Sequence, residues 1–185
     1  MKHLTFSSLI ICLLTGCLQT ISTPTQTNAL VVMDKFEFYE DNYLMYDQKT
    51  TQNYSVKRYA PKNNGELLHN KRVDIYYSES YKNKKHFDKF IDVRKKEYQN
   101  SKDFFHIDNI GENKVFQTVI YYPDDNQKHN GYEINLHVIE LKKCGLTEFT
   151  YKHLFDKNIS ENEIKKFVSD RKTDMVQNMP LMLCK

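Results

Sequence analysis

From Phe36 onward, apolar positions recur at two spacings, a period near two in several short runs and a period near 3.6 in two longer ones. Phe36–Tyr39 and Tyr43–Tyr46, parted by Glu40-Asp41-Asn42, predict a first hairpin. An extended piece over Tyr54–Tyr59 runs into Pro61-Lys62-Asn63-Asn64-Gly65, a cluster of turn formers expected to interrupt regular structure. Val73–Ser78 reads as a strand with Val73, Ile75 and Tyr77 on one face and Asp74 and Tyr76 on the other. Between Tyr81 and Tyr98 the period lengthens. Phe87, Phe90, Ile91, Arg94 and Tyr98 share one side of a helix, while lysines and Asp88, Asp92 and Glu97 fill a solvated outer face. Asp92 and Lys96 stand four apart, the spacing of a helical ion pair.

The second half returns to period two. Phe104–Ile110 and Lys114–Tyr122 flank Gly111-Glu112-Asn113 as a hairpin, and the second run is rich in residues that suit a pleated surface. A polar loop, Pro123 to Gly131, leads into a strand over Tyr132–Leu141. There Tyr132, Ile134, Leu136 and Val138 alternate with Glu133, Asn135 and His137, which predicts one buried and one wet face. Phe149–Phe155 reads as a further strand. Ser160-Glu161-Asn162-Glu163 is a capping box, in which Ser160 accepts from the third helical amide while Glu163 reaches back. Ile164, Phe167, Val168, Arg171 and Met175 mark the face of the helix that follows, Pro180 ends it, and the apolar Leu181-Met182-Leu183-Cys184 packs back.

This order predicts one α+β domain over residues 34–185, an antiparallel sheet with two amphipathic helices packed on it. Over residues 34–180 the order resembles the PsbP-like fold of several small periplasmic lipoproteins. That resemblance implies a fold and no activity.

The chain ahead of this domain follows a different logic. Met1-Lys2-His3 is a basic start, and Leu4–Leu14 is an apolar run that ends in Leu14-Thr15-Gly16-Cys17. A bilayer-spanning helix needs about 20 apolar residues. This run is broken by Ser7 and Ser8 and is too short, so residues 1–16 read as a cleaved export signal. Leu14-Thr15-Gly16-Cys17 resembles the lipobox of bacterial lipoproteins at all four positions. The resemblance implies diacylation of the Cys17 thiol, cleavage after Gly16 and acylation, with palmitate or a similar chain, of the new amine. Residues 17–33 then form the lipidated Cys and a flexible polar tether. Leu18 follows the Cys where Asp would be the inner-membrane signal, which favours the outer membrane, facing the periplasm.

Composition narrows the partners. Lys and Arg number 27 against 24 Asp and Glu, for a net charge of +3. Loss of the signal removes one cation, Lys2. No basic stripe is present, and nucleic acid is excluded as a partner. Cys12 falls in the signal and Cys17 is blocked by lipid, leaving Cys144 and Cys184 as the thiols that an oxidising periplasm would join.

Catalytic signatures are not found. His69, His86, His106, His129, His137 and His153 are scattered without metal-ligand spacing, and Asp124-Asp125-Asn126 lacks the Gly and terminal Glu of a calcium loop. No Gly-x-Ser-x-Gly elbow or phosphate-binding glycine loop occurs. No cofactor or metal is therefore expected. Tyrosines are abundant, and Tyr43, Tyr46, Tyr54, Tyr59, Tyr76, Tyr121 and Tyr122 are candidates for contact with a partner as well as for the core. The expected function is a non-enzymatic lipoprotein that binds membrane lipid through Cys17 and a protein partner at the envelope. An immunity or inhibitor protein against an envelope-acting toxin or hydrolase is its concrete form. The alternative is a structural or accessory subunit of an envelope assembly.

Overall fold

The computed structural model describes residues 30–63, 65–123, 131–180 and 182–184. Cys12, Cys17, the signal and most of the tether lie outside the described residues, as do Asp124-Asp125-Asn126 and His129.

The described elements are β1 (Leu30–Val31), β2 (Lys35–Phe38), β3 (Asp41–Thr50), β4 (Tyr54–Asn63), β5 (Glu66–Leu67) and β6 (Lys71–Ser78), then α1 (Lys84–Tyr98). They continue with β7 (Phe104–Gly111), β8 (Lys114–Tyr121), β9 (Gly131–Lys142), β10 (Gly145–Asp156), α2 (Glu161–Asn178) and β11 (Leu183–Cys184). The large sheet is antiparallel and open, in the order β2-β3-β4-β6-β10-β9-β8-β7, with β5 beside β4. More residues lie in strands than in helices, so the architecture is mostly β rather than an even α+β mixture.

The two helices cover opposite faces. Ile134, Leu136 and Val138 of β9 pack with Ile164 and Met175 of α2, whereas Ile139 packs with Phe87 and Ile91 of α1. Adjacent residues of a strand point to opposite sides. The face of β9 expected to be wet is therefore buried, and Asn135 and His137 are 5% and 7% exposed. Alternation reported one apolar face correctly; it carried no sign that α1 would cover the polar one.

Two other expectations change. β4 does not stop at the turn cluster but runs through Pro61 to Asn63. Pro61 sits opposite Tyr43, and β6 leaves β4 after the Tyr59–Val73 pair. The Pro61 carbonyl accepts from the Leu68 amide at 2.8 Å, so the ring nitrogen on that same side interrupts no ladder with β6. The first hairpin turns on Tyr39-Glu40 rather than on Glu40 to Asn42, since Phe38 pairs with Asp41. Tyr39 and Glu40 have φ of 52° and 63°, the twist-matching conformation of a two-residue turn, adopted here without glycine. Tyr39 is held from outside. Its hydroxyl donates to the Arg171 carbonyl at 2.6 Å, and the Arg171 guanidinium lies 3.9 Å from the ring centre.

Local signals form both helices. The Asn83 side chain accepts from the His86 amide at 3.0 Å to start α1, and the reciprocal Ser160–Glu163 capping box starts α2. The pair four apart that forms in α1 is Lys84 with Asp88, not Asp92 with Lys96.

At the end of the chain, Leu30–Val31 pairs with Leu183–Cys184, so a strand occupies the last part of the stretch read as tether, and Val32 joins the core. Cys184 is bonded to Cys144 across a Cα separation of 5.7 Å and 40 residues of sequence. The neighbouring Gly145 turns at φ 139°, where an added Cβ would lie 2.4 Å from the Ser78 carbonyl oxygen. Only glycine fits there.

Candidate functional site

Beside α2 the sheet is not fully covered. A groove of about 610 Å³ runs between the helix and strands β7 to β9. Period two places Phe104, His106 and Asp108 of β7 along one wall, with Thr118, Ile120 and Tyr122 beside them and Tyr132 at the head. Helical spacing sets Ile164, Val168 and Lys172 opposite, with Lys165. Phe104 and Tyr122 are 44% and 45% exposed, large apolar surfaces left open at one place. The Tyr122 and Tyr132 rings meet edge to face at 5.9 Å.

Charged groups close the two ends. At one, Lys172 Nζ donates to Asp108 Oδ2 at 2.6 Å while His106 Nε2 lies 2.9 Å from Asp108 Oδ1. The lysine hydrogen bond, followed by that of His106, holds the Asp108 carboxyl below its ordinary range despite partial burial. At the other end Lys165 pairs with Glu161 at 2.8 Å. An apolar channel with polar ends suits a side-chain cluster or segment of another protein.

On the opposite face, beneath α1, lies a polar cluster. Arg94 donates to Glu148 Oε2 at 2.8 Å, and His137 Nδ1 lies 2.7 Å from Glu148 Oε1 and 3.0 Å from Thr150 Oγ1. Burial pushes the Glu148 carboxyl up, but the hydrogen bond and charge of His137, with Arg94 and Lys152, outweigh it and leave it below the ordinary value. Gln117, fully buried, has no partner for either side-chain polar atom among the described residues. Glu148 and His137 are buried at its centre, and the Arg94 side chain, 24% exposed, reaches them from the rim. It ties α1 to the sheet.

The histidines are not brought together. His106 lines the groove, His137 is under α1, His69 and His86 are exposed, and His153 packs between Phe155 and Phe167. Burial, with Lys71 and Arg171 nearby, lowers His153 to about 4. Among the described residues no group of three or more His, Cys, Asp or Glu gathers as a metal site. Of the tyrosines singled out in the sequence, Tyr43 and Tyr59 are core residues, Tyr54, Tyr76 and Tyr121 are half-buried, and Tyr122 alone lines the groove. The groove itself escaped the sequence, although Phe104-x-His106-x-Asp108 and Ile164-x₃-Val168-x₃-Lys172 carry its two walls.

No family model, no curated protein and no solved structure matches the chain.

Proposed function

We propose that the chain is a lipid-anchored protein of the bacterial envelope, facing the periplasm from the outer membrane, that binds a protein partner and catalyses no reaction. The groove beside α2 carries the binding half of this function, because exposed aromatics gathered over an apolar floor mark a recognition surface. The export half is supported by the likeness of Leu14-Thr15-Gly16-Cys17 to a lipobox, and by the Cys144–Cys184 bond, since disulfides persist in oxidising compartments. An immunity or inhibitor protein is the form that best suits a small anchored domain with exposed aromatics along a groove.

Affinity capture of the full chain from solubilised membranes tests binding. Phe104→Ala with Tyr122→Ala removes the two exposed rings without touching the core. A partner recovered with the natural chain should fall by about tenfold or more with the double variant, the loss typical of a pair of interface anchors. Equal recovery with both, or no recovery from either, would contradict the proposal.

A further inference from the structure

We infer that the disulfide-bonded end of the sheet rests against an anionic lipid surface and binds its headgroups through a set of lysines, a placement that rests on lipid attachment at Cys17.

The strand registers sort the turns between two ends of the sheet. The β3–β4, β7–β8 and β9–β10 turns lie at one end, because Thr50 pairs with Ser55, Gly111 with Lys114 and Lys142 with Gly145. Ser78, at the close of β6, pairs with Tyr54 and Leu146 and belongs to the same end, so the chain enters α1 from there. β11 is tied to this end by the bond of Cys184 to Cys144, and β1 pairs with β11. The first described residue, Leu30, thus enters the domain opposite Cys184.

That entry point fixes what faces the membrane. Thirteen residue steps separate Cys17 from Leu30, and the intervening segment is rich in Thr, Ser, Gln and Asn. Thirteen steps reach at most about 45 Å even when fully extended. A lipid on Cys17 would hold this end of the domain close to the bilayer and leave the other end outward.

Charge is distributed to match. Lys49 near the end of β3, Lys82 and Lys85 at the start of α1 and Lys143 in the β9–β10 turn are exposed, and Lys114 begins β8. None of these five enters an ion pair among the described residues, whereas Lys57, Lys84 and Lys142 at the same end are paired to Asp34, Asp88 and Glu140. Glu79 and Glu112 offset part of this excess, whereas at the far end Glu40, Asp103, Asp156 and Glu161 are balanced by Lys62, Lys102, Lys157 and Lys165, so the cationic excess lies at the disulfide-bonded end. A net charge of +3 conceals this separation. Each lysine near an anionic surface raises binding by about fivefold. The groove then opens away from the bilayer, since Phe104 begins β7 and Tyr122 follows β8 at the far end.

Amine footprinting of the full-length protein tests the orientation. The protein is bound to vesicles of phosphatidylcholine alone or of phosphatidylcholine mixed with phosphatidylglycerol, labelled with a water-soluble acylating reagent, and digested for mass spectrometry. On the anionic vesicles, labelling of Lys49, Lys85 and Lys143 should slow by about threefold or more, while Lys102 and Lys157 keep their rates. Equal rates on both vesicles, or slowing at Lys102 and Lys157 instead, would overturn the inference. The same digest reports the acyl state of Cys17. Bare Cys17 with protected lysines removes the anchor and upholds the lipid contact; acylated Cys17 with unprotected lysines does the reverse. Lys85→Glu with Lys143→Glu should weaken binding to the anionic vesicles by about tenfold or more, and unchanged binding counts against the patch.

Discussion

Arg94 of α1 and Glu148 of β10 form an ion pair at 2.8 Å, with the glutamate side chain 6% exposed. It is the polar link between the helix and the centre of the sheet, set behind the apolar contact of Phe87 and Ile91 with Val115, Ile139 and Leu146. Removing Arg94 takes from the buried Glu148 one of its two hydrogen-bonded cationic neighbours and leaves His137, which costs about 1 to 3 kcal/mol. Arg94→Ala should lower stability by that amount in urea unfolding. The double change Arg94→Met with Glu148→Met should cost less than Arg94→Ala, because the carboxylate goes with its cation and His137 keeps Thr150 as a partner. Equal losses would show that the pair's electrostatics do not matter to α1.

Acid should destabilise the fold in two steps. His153 is held at about 4 by burial, with Lys71 and Arg171 beside it, against about 6.5 when unfolded. Between those values the unfolded chain binds the proton and the native chain does not, so stability is full above about pH 6.5 and declines as pH falls towards 4. The loss is on the order of 2 to 3 kcal/mol. Glu148 is also lowered in the native state, so its contribution is present above the unfolded carboxyl value of about 4.3 and goes as pH falls through the native one. Chemical unfolding at pH 7 and pH 4.5 measures the first step. His153→Phe, which keeps a ring between Phe155 and Phe167, should flatten it, and an unchanged slope would assign it to another group.

The Cys144–Cys184 bond closes a loop of 40 residues and stabilises by about 4 kcal/mol in the chain-entropy model. Cys184→Ser should lower stability by about that much, with a matching fall in thermal midpoint. Reducing agent should have the same effect on the natural chain and none on the variant. Hydrogen exchange should then rise first at Leu30–Val31 and Leu183–Cys184, whose pairing the bond secures.

Glycine should improve the first hairpin. Glu40 holds φ at 63° although exposed and without a side-chain hydrogen bond among the described residues, a conformation that costs a non-glycine residue about 1 kcal/mol. Glu40→Gly should raise stability by several tenths of a kcal/mol, after the added freedom of the unfolded chain is offset. Tyr39→Phe should lose about 1 kcal/mol with the hydrogen bond to the Arg171 carbonyl. Opposite signs for these neighbours, measured by denaturant titration, are the expected result.

Much of the fold was legible because its signals are local. The Ser160–Glu163 box, the helical spacing of Phe87 and Ile91, and the alternation of Val73, Ile75 and Tyr77 each depend on residues within a turn or two. What escaped depends on distant partners. His137 and Asn135 read as solvent-facing because nothing near them announces Arg94 overhead, and Pro61 read as a break because its tolerance comes from where β6 leaves β4. The groove is of the same kind. Its walls come from β7, β8, β9 and α2, and their separation follows from how α2 lies across the sheet, a quantity that no single stretch encodes.

We propose that the groove beside α2 receives a protein partner at the envelope. A photoreactive amino acid placed at Tyr122 of the full chain in living cells tests it most directly, with the same probe at Val93 on the exposed side of α1 as the comparison. A discrete adduct to one protein is expected from position 122 and none from 93. No adduct at 122, or the same adducts from both positions, would contradict it.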